Sequence, residues 1–182
     1  MDADLVEVVV ESVRVHMRSG NHVVILKERE RERYLPIWIG PWEANAIAMR
    51  LQGVSPERPL SHDLFSTILE QLGATIERVV IASLAEETYL ARLILRSTDQ
   101  THEIDSRPSD AIALAVRAGA PIFASEAVLD RAGVSPDAAV VASLGGELEE
   151  GEESTDPRLA VFREFVNSLE IDPENREGPK PE

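Results

Sequence analysis

Two stretches of the chain follow one pattern: GPWEANAIAMR from Gly40 and RPSDAIALAVR from Arg107. Set in register, Pro41 falls on Pro108 and Glu43 on Asp110. Ala44, Ala46 and Ala48 fall on Ala111, Ala113 and Ala115, and Arg50 on Arg117. Proline is favoured at the first helical position, where its missing N–H costs nothing, so each stretch opens a helix. Three runs of β-branched residues precede each one. The repeat therefore predicts a duplicated unit of three strands and one helix. Both helices are apolar almost all round and rich in alanine, so each should be buried on more than one side. That combination fits an α+β domain, a layered sheet with packed helices.

The strand runs are LVEVVVESVRVHM (Leu5–Met17), HVVILKE and YLPIWIG (Tyr34–Gly40) in the first copy. TIERVVIASL, TYLARLILRS and THEIDS form the second. The alternation of apolar and polar residues supports strands in both. Between the copies, HDLFSTILEQLG puts Leu64, Phe65, Ile68, Leu69 and Leu72 on one helical face, with Ser61 as the expected N-cap. After the second copy come a short strand, PIFA, and a short helix, SEAVLDRAG, capped by Ser125. The expected organisation is a folded domain over 1–134, an acidic linker over 135–156, an amphipathic helical extension over 157–170 and a disordered tail over 171–182. The extension carries Leu159, Phe162, Phe165, Val166 and Leu169 on its apolar side.

Composition excludes several chemistries. There is no cysteine, so disulfides and thiolate metal sites are impossible, and any metal would sit on carboxylates, carbonyls, water or histidine. That favours Mg²⁺ or Mn²⁺. Phosphate-cradling GxxxxGK[ST], GxSxG and GxGxxG motifs are missing. No apolar run is long enough to cross a membrane, and the acidic, alternating start is unlike a signal peptide, so a cytoplasmic protein is the default expectation. The net charge is −15, and residues 147–182 hold 12 acids against 4 bases. Such a balance lacks the clustered Lys and Arg of tight nucleic-acid binders.

The residues with chemical potential crowd the helix starts. Around the second start lie Asp105, Arg107, Ser109 and Asp110, in the string DSRPSD. Capping alone can explain much of it: an acid at the third helical position reaches back to free N–H groups, and Glu43 holds the matching place in the first copy. A sharper possibility is that Asp105 and Asp110 converge, with Glu43, on a divalent ion, while Arg107 and the helix N-terminus take a phosphate. His62 and Asp63 open the inserted helix, and His62 could serve as general acid or base near neutral pH. The bland alternative is an exposed first-turn histidine beside a dipole-serving aspartate. His16, His22 and His102 fall in strands without metal-ligand spacing and are expected to be structural. Trp38 and Trp42 bracket the first junction and are expected in the core or an interface, although an exposed one could stack a base.

Taken together, YLPIWIGPWEANAIAMRLQGV, RPLSHDLFSTILEQLGATIERVVI, TYLARLIL and DSRPSDAIALAVRAGAPIFASEAVL resemble the bacterial bifunctional nuclease domain family, from about Leu5 to Val134. The tail segment VFREFVNSLEIDPE resembles a C-terminal helix that many bacterial members carry. The resemblance implies an α+β fold, a wedge-shaped homodimer with a broad groove, and cleavage of both DNA and RNA. It singles out Glu43, Arg58, His62, Asp63, Asp105, Arg107, Ser109 and Asp110. Ser61 stands where the family often has threonine. In the hairpin, Ser83 replaces an acid and Glu87 a turn glycine.

The resulting expectation is a metal-dependent, sequence-nonspecific nuclease. Asp105, Asp110 and Glu43 would hold Mg²⁺ or Mn²⁺, and Arg58, Arg107 and Ser109 would bind the substrate. His62 would protonate the leaving oxygen. The alternative, from a different class, is a non-catalytic dimeric binding or regulatory module, in which the acidic extension could also regulate the domain.

Overall fold

The computed structural model describes residues 4–16, 20–98 and 100–136. The expected linker from residue 137 onward, the helical extension and the tail lie outside them. Within them the order is β1 (Leu5–Val15), β2 (His22–Glu28), β3 (Tyr34–Ile39), α1 (Pro41–Leu51), α2 (Ser61–Gln71), β4 (Ala74–Ala85), β5 (Thr88–Ser97), β6 (Gln100–Ser106), α3 (Pro108–Ala118), β7 (Ile122–Ser125) and α4 (Glu126–Ala132). The duplicated unit is present: three strands and a helix, twice, with α2 between the copies.

The strands form one seven-stranded sheet in the order β3-β2-β1-β7-β4-β5-β6. Each copy is an antiparallel meander, and the short β7 joins them, antiparallel to β1 and parallel to β4. Bulges in β1 after Val10 and in β4 after Ile76 and Ile81 shift the register and add twist. The sheet coils far enough for the Tyr89 hydroxyl on β5 to donate to the Pro36 carbonyl on the edge strand β3, at 3.3 Å. Burial pushes the Tyr89 phenol up to about 12.

One face of the sheet carries the core. Val8, Val24, Leu26, Leu35, Ile37, Val79, Ile81, Leu93 and Ile122 meet Ile47 of α1, Ile112 and Leu114 of α3 and Leu129 of α4. Burying each such side chain contributes about 1.5–3 kcal/mol. Helix α3 is the centre of this layer: Pro108, Ser109 and Ala111 to Ala115 are all buried. Its alanines explain how a helix can sit among neighbours on several sides, since a methyl lets backbones approach closely. Gly119 ends it at φ 65, the left-handed conformation that favours glycine.

The charged loop after β2 is less solvated than its sequence suggests. Arg33 hydrogen-bonds Glu28, which is buried, and reaches Glu126 and Asp130 of α4 at 2.9 and 3.0 Å. Tyr34 also pairs with Val134 in an isolated antiparallel bridge. Two local expectations change. Ser61 is the first residue of α2 and not its cap; Leu60 holds that place, because the Asp63 carboxylate accepts its N–H at 2.8 Å. Ser125 does cap α4, accepting from the Val128 N–H.

Candidate active site at two paired helix starts

Helices α1 and α3 lie side by side and run in the same direction. At their starts, the Arg107 guanidinium on α3 bonds Glu43 of α1 at 2.7 Å. At their ends, Arg50 of α1 donates to the carbonyls of Val116 and Arg117 on α3. Arg117 in turn donates to the carbonyl of Ala46 on α1. Both positive dipole ends therefore open at the same place.

Helix α2 packs against α3 and contributes two adjacent side chains. His62 Nε2 lies 3.0 Å from Asp110 Oδ1. Arg117 Nε donates to Asp63 Oδ1 at 2.6 Å. Asp110 and Arg117 sit two turns apart on α3, so His62 and Asp63 clamp it at two levels. The Arg117 side chain is only 7 % exposed, and it also donates to the Ala113 carbonyl. Its guanidinium thus ties α1, α2 and α3 together.

The acids at the third helical positions do not act as caps. Neither α1 nor α3 has a side-chain cap hydrogen bond. Asp110 instead gives one oxygen to His62 and the other to Arg107, whose Nε lies 2.7 Å away. Glu43 gives one oxygen to Arg107 and folds the other over Gly40, where any β-carbon would collide with it. Burial pushes the Asp110 carboxyl up, but hydrogen bonds from Arg107 and His62 outweigh it and hold it below the ordinary 3.8. Burial opposes ionisation of Asp63 too, and Arg117 and the Leu60 N–H more than reverse it. Asp110 and Glu43 hold the Arg107 guanidinium firmly protonated, while its side chain is 68 % exposed. An ionised Asp110 can only accept, so Nε2 of His62 carries the proton and Nδ1 is the nitrogen left for chemistry.

Four expected site residues thus come together: Glu43, His62, Arg107 and Asp110. Asp63 pairs instead with Arg117, two turns further along α3. Asp105 does not join them. In register with Arg92 on β5, it is exposed on the sheet face opposite the helices, because its neighbours Ile104 and Ser106 pair with Leu93 and Ala91 on the helix side. The expectation that it would lie beside Asp110 fails because strand alternation turns it away. Arg58 is exposed in the loop before α2, outside the cluster's hydrogen bonds. Ser109 is buried at the second position of α3. His62 is the reverse case: the exposed first-turn alternative gives way to a side chain 16 % exposed and bonded to Asp110. Arg117 and Arg50 are the residues that motif reasoning missed as site members; their match across the repeat was the available signal.

The donor set bears on a divalent ion. Among the described residues, no group of three or more His, Asp or Glu side chains is disposed to hold one. Glu43 and Asp110 face a guanidinium, and Asp105 is on the far face. The trio Asp105, Asp110 and Glu43 therefore does not fit Mg²⁺ or Mn²⁺.

The model of the bifunctional nuclease domain matches residues 24–137, more than half of the chain. An uncharacterized protein of Mycobacterium tuberculosis is 40% identical over 171 residues, covering 91% of this chain and 96% of its own. Bifunctional nuclease 1 of Oryza sativa subsp. japonica is 26% identical over 114 residues, 60% of this chain and 34% of the rice protein. Bifunctional nuclease 2 of the same plant is 31% identical over 103 residues, 55% of this chain and 32% of its own. The chain thus spans about a third of each of these plant relatives. No described helix is long and apolar enough to cross a membrane.

Proposed function

The chain belongs to the bifunctional nuclease domain family, and from that premise we propose that it hydrolyses phosphodiester bonds in DNA and RNA without sequence preference. The observation that carries the proposal is the bridging of His62 and Arg107 by a single carboxylate, Asp110. Arg107, largely exposed and fixed on two acids, binds the phosphate and offsets charge as water adds to phosphorus. The two helix starts add their dipoles to the same end. With both ring nitrogens protonated, His62 gives its Nδ1 proton to the departing oxygen while the attacking water loses one to bulk solvent, and Asp110 orients the ring through Nε2–H. Glu43 keeps the guanidinium in place. No step is routed through a metal ion, because the carboxylates are already committed to Arg107 and His62.

The test is cleavage of a fluorogenic single-stranded RNA and a matching DNA by purified protein across pH. Wild type should cut both, and His62→Gln should lose about a hundredfold. Equal rates for the two proteins would reject the assignment of His62.

A second reading is a non-catalytic dimeric module, which would use the same exposed face of α2 as a dimeric nuclease. Leu64, Phe65, Ile68 and Leu72 are exposed along one stripe of that helix, and none of its residues is buried. A stripe of that kind supports association of two copies. Both readings share it, so Ile68→Glu should shift sedimentation toward a smaller species. Oligonucleotide cleavage then separates them, being present in the first and absent in the second.

A further inference from the structure

Trp42 is the most exposed large apolar side chain among the described residues, at 83 %. The sequence allows it a place in the core or an interface, or an exposed one where it could stack a base, and it is not in the core. Its place in the fold makes that exposure informative. Trp42 is the second residue of α1, directly before Glu43, which holds Arg107. The matching position of the other copy is Ser109, which is small and only 6 % exposed. The repeat itself therefore does not call for a large ring here. Nor does helix formation, since tryptophan is an ordinary helix former and polar residues would serve an exposed first turn better.

Because α1 and α3 run in parallel, the indole and the Arg107 guanidinium stand at the same end of neighbouring helices. Packed helices lie about 8–10 Å apart. That is a distance that one or two nucleotides bridge, from a phosphate on one side to a base on the other. A flat, solvated π surface at the same helix end as an exposed cation is a pairing by which single strands are held without sequence readout. The bases of a duplex are stacked on each other and cannot use it.

We propose that Trp42 is a nucleobase-stacking subsite adjoining Arg107, and that it gives this chain a preference for unpaired strands. The proposal rests on the phosphodiester reading of the Arg107 cluster. A second protein surface is the competing occupant of an exposed indole, and the test includes it.

The experiment uses the full chain carrying Trp38→Phe, so that Trp42 is the single indole, and phosphorothioate strands that resist cleavage. A short thymidine oligonucleotide should quench the Trp42 emission, and an abasic strand of equal length and charge should not. Trp42→Ala should weaken thymidine-strand binding by about tenfold and leave abasic binding unchanged, while Trp42→Phe should retain most of the affinity. Equal quenching by both strands, or unchanged affinity in Trp42→Ala, overturns the subsite and leaves the phosphate reading standing. Binding of neither strand overturns both. Dissociation of Trp42→Ala to a smaller sedimenting species, with no change in strand affinity, would assign the indole to a protein contact and overturn the proposal.

Discussion

The two repeat junctions share a local plan and differ in what they expose. Both start with proline, place an acid at the third helical position and end with an arginine that reaches the other helix's carbonyls. In the second copy the residue before the proline is Arg107, and in the first it is Gly40. In the second the last-turn arginine, Arg117, is buried against Asp63, whereas Arg50 is exposed. The second position is a buried Ser109 in one and an exposed Trp42 in the other. Duplication supplied two helix starts at one place. One start now carries the cation, Arg107, and the other the ring, Trp42. The lesson is that symmetry builds the platform, and departures from symmetry make the site.

The largest break in that comparison should come at the arginines. Arg117→Met leaves Asp63 part-buried without its partner and should cost about 3 kcal/mol, read by urea unfolding. The same change at Arg50, exposed and bonded only to carbonyls, should cost less than about 1 kcal/mol. Equal costs would mean that the two copies share the load, contrary to the geometry.

The acids should differ next. Removing Glu43 as Gln leaves Arg107 one remaining carboxylate, Asp110, so cleavage should fall by about threefold, mainly through KM, less than the loss expected at a residue that also holds the histidine. A larger loss for Glu43→Gln than for Asp110→Asn, in parallel initial-rate assays, would reverse the assigned roles.

Acid titration sharpens the contrast further. Asp63 and Asp110 both have folded-state values below their ordinary 3.8, so each contributes stability that is complete above that range. The contribution is lost as pH falls through the lowered folded values. Stability measured by urea unfolding from pH 6 downward should therefore fall more steeply near and below about pH 4 in wild type than in Asp63→Asn. Parallel profiles would remove Asp63 from the account. The smallest effect should be at Gly40. A methyl there meets only the far end of the Glu43 side chain, so Gly40→Ala should change stability by no more than about 0.5 kcal/mol while displacing the Glu43 carboxylate.

Much of the fold was legible because it rests on local periodicity. The strands of both copies, the proline-opened helices and the Ser125 cap all follow from alternation and turn chemistry within a few residues. Long-range features were less legible. Nothing local reveals that β7 sits between the copies or that α1 and α3 run in parallel. Those depend on which faces can be buried together. Within the site, Glu43, His62, Arg107 and Asp110 could be named from their places at helix starts. Asp105 could not be placed, because which face a strand residue occupies depends on its register with β5. Capping would have explained Asp110 from sequence alone, and only coordinates show its oxygens turned to His62 and Arg107. Arg117 carried a signal in its match to Arg50, but its burial against Asp63 needed α2 in place.

The most direct measurement sets the two aspartates of DSRPSD side by side. Single-stranded RNA cleavage should fall at least about tenfold in Asp110→Asn and stay within about twofold of wild type in Asp105→Asn. Loss of activity in Asp105→Asn with Asp110→Asn unaffected would move the chemistry to the other face of the sheet and contradict the site described for this chain.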